Sequence, residues 1–450
     1  MQKNQIIETT CQRLGADMEG VCFYEGMALF VPYALPGEDI SCRVVKTQKR
    51  HAFGKLIQVK NANPSRQEPP CPVYYRCGGC AAQHMAYEQT LQFKRVQVED
   101  CFRHIGKLEV AVPPVIGMKD PWRYRNKTAL PVGGEAGKPM IGFYAPRSHD
   151  IIDIASCPVA KDGLNGVMRA VKRWMEAHLV APYQEESHTG LVRHVMAREA
   201  GSGEVMAVIV INGYDLPKEK ELLAELKKEA PALASLCISS HTARSNVILG
   251  DSYKVLWGEE RLKDTLCGLH FFLSPLSFFQ INPEQTEVLY QTALDFAGLK
   301  GGETVVDVYC GAGTISLLLA SKAKKVIGLE TVEAAVSDAI KNAQHNGVSN
   351  TEFLAGNAEV LLPRLVEEGL RPDVIVLDPP RKGVEPEVVA AIAKAKPRRV
   401  VYVSCNPATQ ARDAALFSEA GYKITRCQPV DMFCWTHGVE NVLAFEPIDG

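Results

Sequence analysis

Three groups of residues in this sequence have the types and spacing for chemistry. The first is Cys71-Pro-Val-Tyr-Tyr-Arg-Cys77-Gly-Gly-Cys80, with two glycines in the turn between its last two thiols. That spacing lets three thiolates converge on one centre, and Cys157, in Ala155-Ser-Cys-Pro158, can supply a fourth. Cysteine-rich loops followed by proline suit an iron–sulfur cluster, and a four-cysteine zinc site is the alternative. The second group is Gly311 and Gly313 after the β-branched run Thr304–Val308, with Glu330 ending the next run. Glycines there let a ligand reach the backbone, and the acid suits the two hydroxyls of an adenosine ribose. The third is Val400-Val-Tyr-Val-Ser-Cys-Asn-Pro407, a short apolar strand running out into Cys405. Open α/β sheets keep their ligands at such strand ends, so Cys405 is the candidate nucleophile. A lone cysteine is more often a packing residue. The turn Asp378-Pro379-Pro380 on a neighbouring strand and Asn406-Pro407 behind the thiol favour the reactive reading. Cys310, inside the glycine turn, and Cys434, away from a strand end, rank below it.

The elements that must position these groups divide the 450 residues into three parts, in line with ~150 residues per domain. Residues 1–62 read as a small OB-like β-barrel, punctuated by Gly20, Gly26, Pro36 and Gly37. Between Arg43 and Lys60 lie six Lys/Arg and no Asp or Glu, which suits either a solvated strand face or an RNA-facing surface. Asn61–Pro70 reads as a linker. Residues 63–270 read as a central α+β domain, with helices at Ala86–Gly106, Leu164–His178 and Lys218–Lys228 and strands at Val205–Ile211 and Val247–Leu249. Within it, Trp122-Arg-Tyr-Arg-Asn-Lys127 interleaves aromatics with cations, as a single-stranded nucleic-acid platform does; a strand with exposed charges reads the same way. Residues 271–450 read as a Rossmann-like α/β domain. It opens on an aromatic stretch holding Gln280 and a helix Pro283–Ala297. Repeated strand–helix units follow, with strands Lys325–Leu329, Thr351–Leu354 and Val374–Leu377. Asn357, after the third strand, can hold an adenine ring.

Composition sets the outer limits. The chain is 46% hydrophobic and 23% charged with net charge −2, so it is globular and not basic as a whole. No apolar h-region follows Met1, and the longest apolar run, Val205–Ile211, is far too short for a bilayer. The expectation is a cytoplasmic protein whose fourteen cysteines stay reduced.

The segments Ser277-Phe-Phe-Gln280, Asp307-Val-Tyr-Cys-Gly-Ala-Gly-Thr314, Leu377-Asp-Pro-Pro-Arg-Lys-Gly383, Val403-Ser-Cys-Asn-Pro407, Asp431-Met-Phe433 and Val439-Glu440 together resemble the bacterial RNA (uracil-5-)-methyltransferase family. The four cysteines and the leading β domain resemble its branch acting on 23S ribosomal RNA, with an N-terminal TRAM domain and a [4Fe–4S] cluster. The tRNA branch generally lacks both.

The resemblance implies that Cys405 is the nucleophile and Glu440 the base. Gln280, Tyr309, Thr314, Glu330, Asn357 and Asp378 would contact S-adenosylmethionine or the target base. Cys71, Cys77, Cys80 and Cys157 would hold the cluster. It also implies an RNA partner, most readily 23S rRNA, with no membrane, no obligate protein partner and a monomeric state. The chain departs from the family's usual pattern at Gly438, with His437 one place earlier, and at Cys434 after Asp-Met-Phe; Thr314 is Asn in some relatives. The rival readings are methylation of tRNA, a non-catalytic RNA-binding protein, and a nicotinamide-dependent oxidoreductase. Asp378-Pro-Pro speaks against the last, since hydride transfer has no need of it.

Overall fold

The structure is a computed structural model describing residues 1–448. Five strands, Ile6–Leu14, Gly20–Tyr24, Met27–Val31, Asp39–Thr47 and His51–Asn61, close into a barrel. Closure leaves no open edge. The barrel is filled by alternate inward residues, among them Cys11, Cys22 and Cys42, which are packing thiols. The stretch after it, expected as a loose linker, is tied down. Arg66 donates to the buried carboxylate of Glu38 from Nε (2.5 Å) and Nη2 (2.7 Å), and Asn63 N–H donates to it as well.

A seven-stranded sheet forms the middle of the chain. In spatial order it runs Tyr253–Gly258, Leu233–Ser240, Val205–Ile211, Val192–Glu199, Lys127–Glu135, Lys138–Tyr144 and Ile151–Asp153. Helices Asp162–His178 and Glu219–Glu229 bury their apolar sides on one face. Val205–Ile211 is buried at every position, which is why its sequence shows no alternation. Val247–Leu249 is not a strand. It lies in an irregular loop with Val247 61% exposed; a three-residue apolar run by itself does not set strand apart from loop.

Residues 304–447 carry a second seven-stranded sheet. Its spatial order is Thr351–Ala355, Lys325–Glu330, Thr304–Val308, Val374–Leu377, Arg399–Ser404, Glu440–Pro447 and Tyr422–Val430. The first five strands are parallel, and Glu440–Pro447 is antiparallel to both its neighbours. Helices Pro283–Ala297 and Thr314–Ala320 cover one face; Ala358–Glu367, Pro386–Ala395 and Pro407–Glu419 cover the other. The hairpin Leu262–Leu266/Leu269–Leu273 contributes Leu266, Phe271 and Leu273 to the first of these cores.

An early segment also completes this domain. The region expected as one helix over 86–106 is an α-helix, Tyr87–Cys101, ending in a wider π-turn, Phe102–Gly106. Val98 and Phe102 are fully buried in the same core as Val400, Phe417 and Phe445. Lys94 is also fully buried, paired with the fully buried Asp431, 337 residues later in the chain.

Candidate active site

The carboxyl ends of the central strands meet at one place. Tyr309 follows Thr304–Val308, Asp378 follows Val374–Leu377, and Cys405 follows Arg399–Ser404. Pairing of Ser404 with Asn441 sets Cys405 against Glu440 across the antiparallel strands. A buried amide pair fixes that register. Gln410 donates to the carbonyls of Tyr402 and Asn441, both at 3.0 Å, and Asn441 donates back to Gln410 Oε1 at 2.8 Å.

Cys405 is half-buried. Burial pushes its thiol up, as do the carboxylates of Glu440 and Asp378, while Arg381 pulls it down. Glu440 is buried and pushed up to about 8, first by burial and then by Asp378, with Arg381 opposing. Burial alone pushes Asp378 up to about 7. Cys405, Glu440 and Asp378 therefore lie close together and largely away from water, with the exposed Arg381 near enough to oppose the shifts of the first two. Asn406 ties the two loops that supply them. Its Oδ1 caps the helix Pro407–Glu419, and its Nδ2 donates to the carbonyl of Arg381 at 3.3 Å. Thr409 Oγ1 donates to the same carbonyl at 3.1 Å.

Beside this space is the glycine turn. Gly311 has φ +55 and nothing within 4 Å of where a Cβ would stand, so the backbone there is open to a ligand. Glu330 accepts from Gly311 N–H at 3.1 Å and from Val332 N–H at 2.8 Å. The Glu330 carboxylate thus braces the turn from the end of its own strand. Asn357 is exposed and accepts from Thr331 Oγ1 at 2.6 Å. Tyr290, buried on the helix Pro283–Ala297, shares a hydrogen bond with Thr314 Oγ1 at 3.1 Å and lies against the Gln280 amide. Gln280 and Thr314 are therefore linked through one phenol. Asp307 is fully buried behind the turn, accepting from Ser316 Oγ, and burial pushes it up to about 7.

All eight positions expected at this site lie around the same sheet edge. Arg381, Gln410, Asn441 and Tyr290 belong with them and were not anticipated. Arg381 lay within the quoted Asp-Pro-Pro-Arg motif, a usable signal. The buried amides gave none, because their partners are set by strand pairing.

The central domain holds the aromatic loop that bears Gln280. Asn126 Nδ2 donates to the Gln280 carbonyl at 3.2 Å, Asn126 N–H to Ile281 O at 2.9 Å, and Arg198 Nη2 to Ser277 O at 2.6 Å. Trp122–Lys127, expected as a nucleic-acid platform, is instead a wedge between domains. Trp122 stacks on Trp435, Tyr124 and Asn126 are buried, and among its cations only Arg123 is well exposed.

Cys71, Cys77, Cys80 and Cys157 line one cavity, with Tyr74 and Arg125 at its wall. Gly79 N–H donates to Cys77 Sγ at 3.3 Å. Asn165 clamps the Cys157 loop, accepting from Cys157 N–H at 2.8 Å and donating to its carbonyl at 3.2 Å. Arg125 Nε has no protein partner. Among the described residues, no group of three or more His, Cys, Asp or Glu is drawn together around a single metal ion.

Among the described residues no helix is long and apolar enough to cross a membrane.

Residues 220–446 match the family model described as tRNA (uracil-5-)-methyltransferase. An RNA methyltransferase of Halalkalibacterium halodurans is 47% identical over 448 residues, covering 99% of this chain and 98% of its own. Another, from Clostridium tetani, is 44% identical over 444 residues, covering 98% and 96%. The crystal structure of Pyrococcus abyssi tRNA (uracil-54, C5)-methyltransferase in complex with S-adenosyl-L-homocysteine superposes with a TM-score of 0.79 at 26% identity, over 97% of this chain and 99% of that one. The glycine turn, the strand-end carboxylates and these similarities agree: the chain is an S-adenosylmethionine-dependent RNA methyltransferase and belongs to the tRNA (uracil-5-)-methyltransferase family.

Proposed function

We propose that this protein methylates carbon 5 of a uridine in RNA through a covalent adduct on Cys405. The observation that carries the reading is the facing of Cys405 and Glu440 across paired strands, with Asp378 and Arg381 beside them. Carbon 5 of uracil is a weak nucleophile. Addition of the Cys405 thiolate to carbon 6 spreads negative charge to carbon 5 and oxygen 4. Carbon 5 then takes the methyl group from the sulfonium, and S-adenosylhomocysteine leaves. Glu440 takes the carbon 5 proton, the carbon 6–sulfur bond breaks, and the thiolate is regenerated. The target base leaves its stack to reach these groups.

In this reading Gln280, Tyr309, Thr314, Glu330 and Asn357 line the S-adenosylmethionine site, and Asp378 holds the donor's amino group or the uracil edge. Cys405→Ala abolishes methylation and keeps S-adenosylmethionine binding; full activity in that variant refutes the mechanism. Glu440→Gln accumulates a denaturation-resistant protein–RNA adduct, because the last proton has no acceptor.

The substrate proposed is 23S rRNA, on the resemblance of the barrel and cysteine quartet to that branch. A tRNA substrate is the second reading. It is favoured by the near full-length superposition on a protein whose name states tRNA, so the domain plan alone does not separate the two. Unmodified 23S rRNA and tRNA transcripts, incubated with labelled S-adenosylmethionine and mapped by mass spectrometry, decide between them.

We read Cys71, Cys77, Cys80 and Cys157, which line one cavity, as the ligands of a [4Fe–4S] cluster, which takes one thiolate at each iron. Burial pushes Cys80 up to about 12, and bound iron supplies the positive charge that ionised thiolates need. An anaerobically purified protein that is brown and contains iron supports this; a colourless protein containing zinc overturns it.

A further inference from the structure

The Glu440 carboxylate takes no hydrogen bond from a described residue, and Glu440 opens the strand Glu440–Pro447 paired with Val430, so its reach depends on that strand end and on the segment that leads into it. That segment is Asp431-Met-Phe-Cys-Trp-Thr-His-Gly-Val, in irregular conformation. Residues from the cysteine loop and the wedge hold this segment at successive points. Trp435 O accepts the N–H groups of Ala81 (2.8 Å) and Ala82 (3.1 Å), the two residues directly after Cys80. Tyr124 hydroxyl donates to Cys434 O at 3.1 Å. The Trp435 indole stacks on Trp122, with ring centres 4.6 Å apart and planes 26° apart, and its Nε1 donates to Pro121 O at 3.0 Å. Lys94 donates to Phe433 O at 3.0 Å as well as pairing with Asp431.

Trp435 itself has φ +63. A bulky side chain holds that conformation only where its surroundings impose it. Cys80 and Cys157 pack on the same apolar cluster as Trp435 and Cys434. The cysteine site and the segment leading to Glu440 therefore form one continuous piece of structure.

We propose that this junction is a latch: the wedge and the end of the cysteine loop hold Trp435, and through it set the reach of Glu440 into the active site. Trp122, Tyr124 and Trp435 are then positioning residues for the elimination step. The proposal rests on Glu440 being the base. It gives the cysteine site a role in catalysis beyond bracing its own loop, without any electron transfer.

A loosened latch slows removal of the carbon 5 proton while leaving thiol addition and methyl transfer intact. The adduct should then accumulate. The test uses the full-length protein, a 23S rRNA transcript on which the wild-type protein is active (a tRNA transcript if that is the active substrate), and three variants. Glu440→Gln is the control. Trp122→Leu removes the stacking partner, and Tyr124→Phe removes a single oxygen and keeps the ring. Both latch variants should show a roughly ten-fold fall in kcat with a matching rise in denaturation-resistant adduct. RNA KM, S-adenosylmethionine affinity and iron content should stay within about two-fold. If Glu440→Gln traps adduct while both latch variants show wild-type adduct levels, the latch is overturned and the base reading stands. If Glu440→Gln traps none, the base reading itself fails. A fall in kcat with no adduct in either variant also overturns the latch.

Discussion

Glu440 raises the proton affinity of Cys405, and burial raises that of both. In the proposed mechanism each loses its proton to act, so kcat should climb with pH from about 8, where Glu440 titrates, upward as the raised Cys405 thiol follows. Asp378→Asn removes a charge that raises Glu440, and the climb should move to lower pH. Arg381→Gln removes the opposing cation, and the climb should move up. A pH–kcat profile of the three proteins checks both directions. The same shift bears on stability. A carboxyl ordinarily near 4.5 but raised to about 8 when folded binds its proton more tightly in the native state. Its effect is thus neutral below about 4.5 and costs stability progressively as pH rises to about 8, on the order of a few kcal/mol in all. Glu440→Gln should therefore flatten the fall of Tm with pH over that interval. Cys405, Glu330 and Asp378 were legible in the sequence because strand ends are. The Gln410–Asn441 pair was not, since a buried amide looks like any surface amide until its strand partner is known.

Among the elements, the loop Asp378–Gly383 depends on a backbone that a side chain would break. Gly383 has φ +86, and a Cβ there would stand 2.2 Å from Asp413 Oδ2. That carboxylate accepts from Val384 N–H at 3.0 Å and from Tyr402 hydroxyl at 2.7 Å, so it has little freedom to withdraw. Gly383→Ala should cost roughly 2–4 kcal/mol, read as a lowered denaturant midpoint, and should disturb Arg381 in the site. The helix Tyr87–Cys101 offers a second test. Lys94→Met strands the Asp431 charge in the interior and should cost about 3–5 kcal/mol; Lys94→Met with Asp431→Leu should recover much of it. Chemical denaturation of the single and double variants measures the difference. The parallel strands were readable because fully buried strands are β-branched runs bounded by turn residues. The helix reads only as amphipathic: its partner lies far along the chain, and no local pattern announces a buried lysine. Trp122–Lys127 misled for a related reason. Aromatics interleaved with cations look alike whether they stack on bases or on a tryptophan from another domain.

For the molecule as a whole, the barrel carries the electrostatic asymmetry that the net charge hides. Arg43, Lys46, Lys49, Arg50, Lys55 and Lys60 are all exposed. Phe30, His51 and Phe53 cluster beside them, and Arg147 lies over Phe53, 5.2 Å from the ring centre. Cations around aromatics suit a single-stranded backbone and its bases. Replacing Arg43, Lys46, Lys49 and Arg50 with Ala should weaken RNA binding. The slope of log affinity against log salt should become shallower by about 0.7 for each phosphate the variant no longer neutralises. Filter binding across a salt series checks this, and S-adenosylmethionine affinity should not change. The Lys94–Asp431 pair has one more effect, on the timing of synthesis. The 337 residues between its partners take on the order of 20–70 s to translate at ~5–20 residues per second. Through that interval the helix is complete but the socket that buries its lysine has not been made. A nascent chain of this protein is thus open to proteases and holding chaperones for a period set by the ribosome's speed, however fast the finished domain folds.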